Sequence, residues 1–110
     1  MDQRRTQRYQ LHLPLHILQL GESRMSRVEK TRDISSGGVC FLSGTPVETG
    51  TRIEYVITLS GSNPPVRIRC LGKVLRSQKP AYDEPYEVAV TMERYQFVRP
   101  EEMEPAAISA

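Results

Sequence analysis

Four stretches of this chain place an apolar residue at every second position: Leu11, Leu13, Leu15, Ile17; Ile53, Tyr55, Ile57, Leu59; Val66, Ile68, Cys70; and Tyr86, Val88, Val90, Met92. Period two is the repeat of a β-strand, whose successive side chains point to opposite faces of a sheet, and it cannot line one face of a helix. Glycine and proline punctuate the runs, and the sequence has neither a long helical stretch nor an internal repeat. Short half-buried strands separated by turn signals predict an all-β chain, a six-stranded antiparallel barrel whose closure hides the strand edges.

Taken in order, the first strand covers Leu11 to Ile17, and the apolar phase changes at Leu18 and Leu20, which predicts a bulge near Ile17 and Leu18. A turn at Gly21 to Ser23 leads to a more polar strand from Met25 to Ile34, and Gly38 to Leu42 forms a third. The fourth is Ile53 to Leu59. The fifth starts at Val66 and resumes through Val74 and Leu75 after a bend at Gly72. The sixth is Tyr86 to Met92, and Glu93 to Val98 is expected to form a last turn of helix. The organisation expected is a flexible arginine-rich arm over 1–10, one barrel domain over 11–99 and a disordered acidic tail over 100–110.

A length of 110 residues suits one domain with one modest core. The run from Leu11 to Leu20 is interrupted by His12, Pro14, His16 and Gln19, so no membrane span is expected, and without a secretory leader the default location is cytoplasmic. Cys40 and Cys70 each lie in an alternating apolar run and read as buried thiols rather than a disulfide. Net charge is +2, yet Glu101, Glu102 and Glu104 crowd the tail, so residues 1–100 hold 15 basic against 10 acidic groups. Twelve of the basic residues are arginine. A guanidinium is a flat forked donor that matches phosphates and purine edges, which points to an anionic or nucleotide partner.

Between the second and third strands stands Asp33-Ile34-Ser35-Ser36-Gly37-Gly38. An acid, two hydroxyls and two glycines are more than a plain hairpin needs. Asp33 can accept from a planar donor edge, Ser35 can donate to an anion, and glycine supplies positive φ or close backbone approach. Arg4, Arg5 and Arg8 are the densest charge in the chain, on an arm whose following strand belongs to the same barrel, so the arm can fold over the turn. Acid, hydroxyl and amides then face forked cations.

These two segments resemble a known pair. Arg4-Arg5-Thr6-Gln7-Arg8 is similar to the RxxxR motif, and Asp33 to Gly38 to the [D/N]xSxxG motif, of the PilZ domain, the bacterial receptor module for cyclic di-GMP. The likeness extends through LHLPLHI, GVCFLS and YEVAV; Thr6 departs from the larger apolar residue common in such arms. The resemblance implies a PilZ-type barrel that binds cyclic di-GMP, often as an intercalated dimer, on its outer surface. It implies that Arg4 and Arg8 hold phosphates and the guanine O6/N7 edge, with Arg5 adding charge. Asp33 would accept from guanine N1 and N2, Ser35 would bond a phosphate or base edge, and Gly37 and Gly38 would form the turn, Gly38 keeping the backbone clear of the ligand. The signal would pass to an effector protein by ordering of the arm.

Two other readings compete. A PilZ-like adaptor that binds protein without nucleotide is disfavoured by the intact set of Arg4, Arg8, Asp33, Ser35 and Gly38. A barrel for single-stranded nucleic acid would display stacking aromatics, and the chain has no tryptophan and two phenylalanines, so neither DNA nor RNA is expected. Catalysis has no Ser/His/Asp grouping, paired carboxylates near a turn or glycine loop leading into a helix to support it, so no enzyme is expected. His12 and His16 read as solvent-facing strand residues rather than metal ligands, and no cofactor is implied beyond the nucleotide ligand. Arg67, Arg69, Lys73 and Arg76 read as a solvated strand face, and Tyr9, Tyr55, Tyr86 and Tyr95 as residues packed at the barrel wall or rim.

Overall fold

A computed structural model describes residues 9–59 and 64–98. The arm at 1–8 and the tail beyond Val98 lie outside the described residues. Seven strands follow one another: β1 (Pro14–Leu20), β2 (Ser23–Ser35), β3 (Gly38–Ser43), β4 (Arg52–Leu59), β5 (Val66–Gln78), β6 (Tyr86–Thr91) and β7 (Arg94–Val98). Their sheet order is β4-β1-β2-β3-β6-β5-β7, and a further β4–β5 pairing closes the first six strands into a barrel. Every pairing is antiparallel. Among the described residues, no helix is long and apolar enough to cross a membrane.

Apart from Leu11 and Val66, which are exposed at the ends of their runs, the period-two residues point inward as their spacing requires. Leu15, Ile17, Phe41, Tyr55, Ile57, Val88 and Val90 are all at most 1% exposed. Each such aliphatic or aromatic side chain stabilises the fold by about 1.5–3 kcal/mol through loss of its hydrated surface. Tyr55 satisfies its hydroxyl by donating to the Thr91 carbonyl at 2.9 Å. The register of β1 against both neighbours shifts between Ile17 and Gln19, so the expected bulge is there and turns Leu18 out of phase.

One expectation is corrected. Residues 93–98 are not a turn of helix, because Arg94 to Val98 pair with β5 as strand β7. β6 and β7 lie end to end along one edge of β5, with β6 facing Val74 to Gln78 and β7 facing Arg67 to Leu71. Where they meet, a Cβ on Gly72 would stand 1.9 Å from the Thr91 carbonyl oxygen, so only glycine lets the strands cross that closely.

Both cysteines are free and buried. Burial raises the Cys70 pKa to about 11, partly offset by the neighbouring Tyr55 hydroxyl. Of the basic strand face, Arg69 pairs with Glu54 at 2.5 Å. Among the described residues no three His, Cys, Asp or Glu side chains gather to hold a metal ion. His12 Nδ1 lies 3.2 Å from the Thr31 carbonyl, and His16 Nε2 lies 2.8 Å from the Ser26 hydroxyl.

Candidate functional site

The end of β2, the start of β3 and the chain entering β1 meet at one place on the barrel. β2 and β3 form a hairpin in which Ser35 faces Gly38, leaving Ser36 and Gly37 as its exposed two-residue turn. The Ser35 hydroxyl shapes that turn, accepting from the Gly37 amide at 3.3 Å and lying 3.4 Å from the Gly38 carbonyl. Gly37 in turn accepts from the Met92 amide at 3.1 Å, which ties the loop to the end of β6.

The two glycines serve different ends. Neither has positive φ. A Cβ on Gly38 would sit 2.5 Å from the Val90 carbonyl oxygen, so this glycine is required by the packing of β3 on β6. A Cβ on Gly37 would meet nothing within 4 Å. The backbone at Gly37 is therefore open to solvent on the side where a residue would carry its side chain.

Asp33 owes its setting to a bulge. The register of β2 on β3 passes from Thr31 opposite Phe41 to Asp33 opposite Cys40, so Arg32 is an extra residue. The bulge lets two consecutive side chains meet: Arg32 Nε lies 3.1 Å from Asp33 Oδ2. The same guanidinium forms an ion pair through Nη1 with Glu87 on β6. Asp33 is 4% exposed and Ser35 5%. Opposite Asp33, the Cys40 thiol is shifted up by burial and, secondarily, by the Asp33 charge, so it stays neutral beside the carboxylate.

The segment before β1 runs along the other edge of β2. Thr31 is fully buried; its amide donates to Leu13 O at 2.9 Å, its hydroxyl accepts from Leu13 N at 2.8 Å, and the same hydroxyl donates to Leu11 O. Farther back, Tyr9 and Ile34 exchange both backbone hydrogen bonds, at 2.8 and 2.9 Å. The chain is thus held against the turn as far back as Tyr9, a residue that composition alone counts within the arm.

Of the residues singled out from sequence, Asp33, Ser35, Gly37 and Gly38 come together on this hairpin, while Arg4, Arg5 and Arg8 lie outside the described residues. Sequence reasoning missed Arg32 and Glu87, and read Tyr9 as a packed ring, whereas Tyr9 is 56% exposed and its backbone pairs with Ile34. Strict alternation sends Arg32 and Asp33 to opposite faces, and only the bulge cancels that. Glu87 reaches the site through the β3–β6 register, which leaves no local trace in the sequence.

Comparison with known proteins bears on the family and the fold. A family model for the PilZ domain matches residues 2–102. Comparison with curated proteins gives no match. Among solved structures, the Bacillus subtilis inhibitor of motility (MotI/DgrA) superposes with a TM-score of 0.71 at 15% identity, covering 94% of this chain and 48% of that one. The likeness at that identity is one of fold, and this chain spans about half the length of that structure. The family match takes in the whole barrel, from the segment that pins Tyr9 through the Asp33–Gly38 turn to β7, and the chain therefore belongs to the PilZ domain family.

Proposed function

We propose that this domain binds cyclic di-GMP between the Asp33–Gly38 turn and Arg4, Arg5 and Arg8, and that closure and ordering of the arm on the ligand relays the signal to a protein partner. The observation that carries this reading is the pairing of Tyr9 with Ile34. Arg8 is joined to Tyr9 by a single peptide bond, so the arginine motif leads directly into the residue that pairs with Ile34, which stands between Asp33 and Ser35.

Each part has a chemical use. A guanidinium presents two parallel donors to guanine O6 and N7, the commonest specific contact to that base, and also pairs with phosphate. The Asp33 carboxylate accepts from the N1 and N2 donors on the opposite edge of guanine. The Ser35 hydroxyl lies at a long 3.4 Å from Gly38 O and is available to a stronger acceptor such as a phosphate oxygen. The open side of Gly37 gives the ligand room against the backbone. No catalytic step is assigned to the site.

Titration calorimetry with cyclic di-GMP tests the reading. The wild type is expected to bind, with Arg8→Ala and Asp33→Ala each weakening binding at least tenfold, about 1.4 kcal/mol. A wild type that gives no heat refutes it, and a partner pull-down insensitive to the nucleotide then marks the domain as a protein adaptor.

A further inference from the structure

Strand β7 closes no barrel. It pairs with β5 on one side, and among the described residues no strand pairs its other side. An open edge presents a row of unpaired amides and carbonyls, and proteins ordinarily blunt such edges with lysine, proline or a bulge. β7 has no lysine, proline or bulge, and its one charge, Arg94, stands at its first position: its sequence is Arg-Tyr-Gln-Phe-Val, and its pairing with β5 runs without a register shift. Tyr95 and Phe97 stand two apart on one face, 61% and 63% exposed. They are the inward-facing row of the sheet, opposite Cys70 and Ile68, carried past the point where the barrel encloses it.

We infer that β7 is the contact surface for a second copy of this chain, the two β7 strands pairing antiparallel about a two-fold axis at Gln96. The argument is one of register. A two-fold at Gln96 sets Tyr95 opposite Phe97 of the second copy and Phe97 opposite its Tyr95, so all four rings meet in cross-strand aromatic pairs. It also sets the two Gln96 amides against each other, each able to donate and accept. Moving the axis to Tyr95 would put Phe97 opposite Glu93, and moving it to Phe97 would put Tyr95 opposite Arg99. Each of those registers pairs one ring with its own copy and leaves the other ring against a charged residue; of the three, only the Gln96 register pairs all four rings in the isologous contact.

Charge does not oppose it. Arg94 falls opposite Val98 of the second copy, and the two Arg94 positions are four residues apart along the joined strands, about 14 Å, beyond the screening length at physiological salt. Rings of this kind bury roughly 150–250 Å² each when wholly covered, so four rings at these exposures supply about 400–600 Å². With the strand backbones added, the contact stays at the low end for specific interfaces, which makes this an exchanging dimer rather than a permanent one. The inference stands apart from nucleotide binding, since the β2–β3 turn lies on other strands.

Sedimentation velocity of the full chain, from about 10 µM to 1 mM, tests it together with disulfide trapping. The wild type is expected to move from monomer towards dimer over that range, and Phe97→Asp to weaken the association at least tenfold while leaving thermal unfolding unchanged. Gln96→Cys under mild oxidation should trap a covalent dimer much faster than Tyr82→Cys, a control at a site 94% exposed. A wild type monomeric throughout overturns the proposal, as does trapping at residue 96 no faster than at residue 82. A dimer indifferent to Phe97→Asp places the contact elsewhere and overturns it too. Dimerisation that appears only after residues 99–110 are removed shows that the chain's own tail covers β7, and also overturns it.

Discussion

Arg32 on β2 reaches across β3 to pair with Glu87 on β6, and holds Asp33 Oδ2 at 3.1 Å with the same guanidinium. One cation thus joins the turn that carries the site to a strand two places away in the sheet. The Arg32 side chain is 41% exposed, so screening limits what the pair adds to stability. Its effect falls on the orientation of Asp33.

Replacing Glu87 should separate those two roles. Glu87→Gln is expected to cost under about 1 kcal/mol in unfolding free energy, because exposed pairs contribute little. Cyclic di-GMP affinity should nevertheless fall several-fold, with Glu87→Asp between the two. Denaturant unfolding and calorimetry on the same samples check this, and affinity equal to wild type would show that Asp33 needs no help from Arg32.

The two turn glycines should respond in opposite ways. Gly38→Ala drives a methyl to 2.5 Å from the Val90 carbonyl oxygen, a backbone atom that cannot rotate away, and should destabilise the domain by about 1–3 kcal/mol or more. Gly37→Ala meets nothing within 4 Å and requires no positive φ, so stability should stay within about 0.5 kcal/mol while nucleotide binding weakens. Thermal melts with and without ligand distinguish them; a Gly37→Ala variant with full affinity would remove the ligand from that side of the turn.

Thr31→Val keeps the shape of a fully buried side chain and deletes its hydroxyl, leaving Leu13 N and Leu11 O without that partner. The expected cost is about 1–3 kcal/mol. Amide exchange at Tyr9 and Ile34 should quicken relative to the far side of the barrel, because the stitch holding the chain against β2 is cut. Uniform acceleration across all strands would show that Thr31 supports the barrel in general.

Alkaline pH should destabilise the fold through its buried acids. The Cys70 pKa is raised from 9.0 to about 11 by burial, and burial moves Tyr55 up as well. A raised pKa means that the native state keeps a proton which the unfolded chain releases above pH 9, so stability is complete below that pH and declines as pH rises towards 11. Cys70 alone accounts for about 2 kcal/mol at pH 11. Urea unfolding at pH 8 to 11 should show the decline, and Cys70→Ala should make it shallower.

Most of the architecture can be read without coordinates, and the reasons are local. Alternation of Ile53, Tyr55, Ile57 and Leu59 dictates a strand with one buried face, and the phase change at Leu18 marks a bulge. Residues 93–98 misled because Arg-Tyr-Gln-Phe-Val buries little of either face, so its strand character comes from hydrogen bonds to β5 and not from apolar periodicity. The same distinction divides the site. The Asp33–Gly38 turn is legible from its composition, because each residue type carries its own chemistry. The Arg32–Glu87 pair is not, since it needs a bulge that sets neighbouring side chains together and a register between strands more than forty residues apart.

Six of the seven strands, their inward faces and the chemistry of the turn therefore follow from periods and residue types within a few positions. That Tyr9 lies against Ile34, that Glu87 reaches Asp33 through Arg32, and that Gly38 must clear Val90 are relations no local pattern carries. Those relations depend on which strands become neighbours when the barrel closes, and closure is fixed by the packing of the whole core.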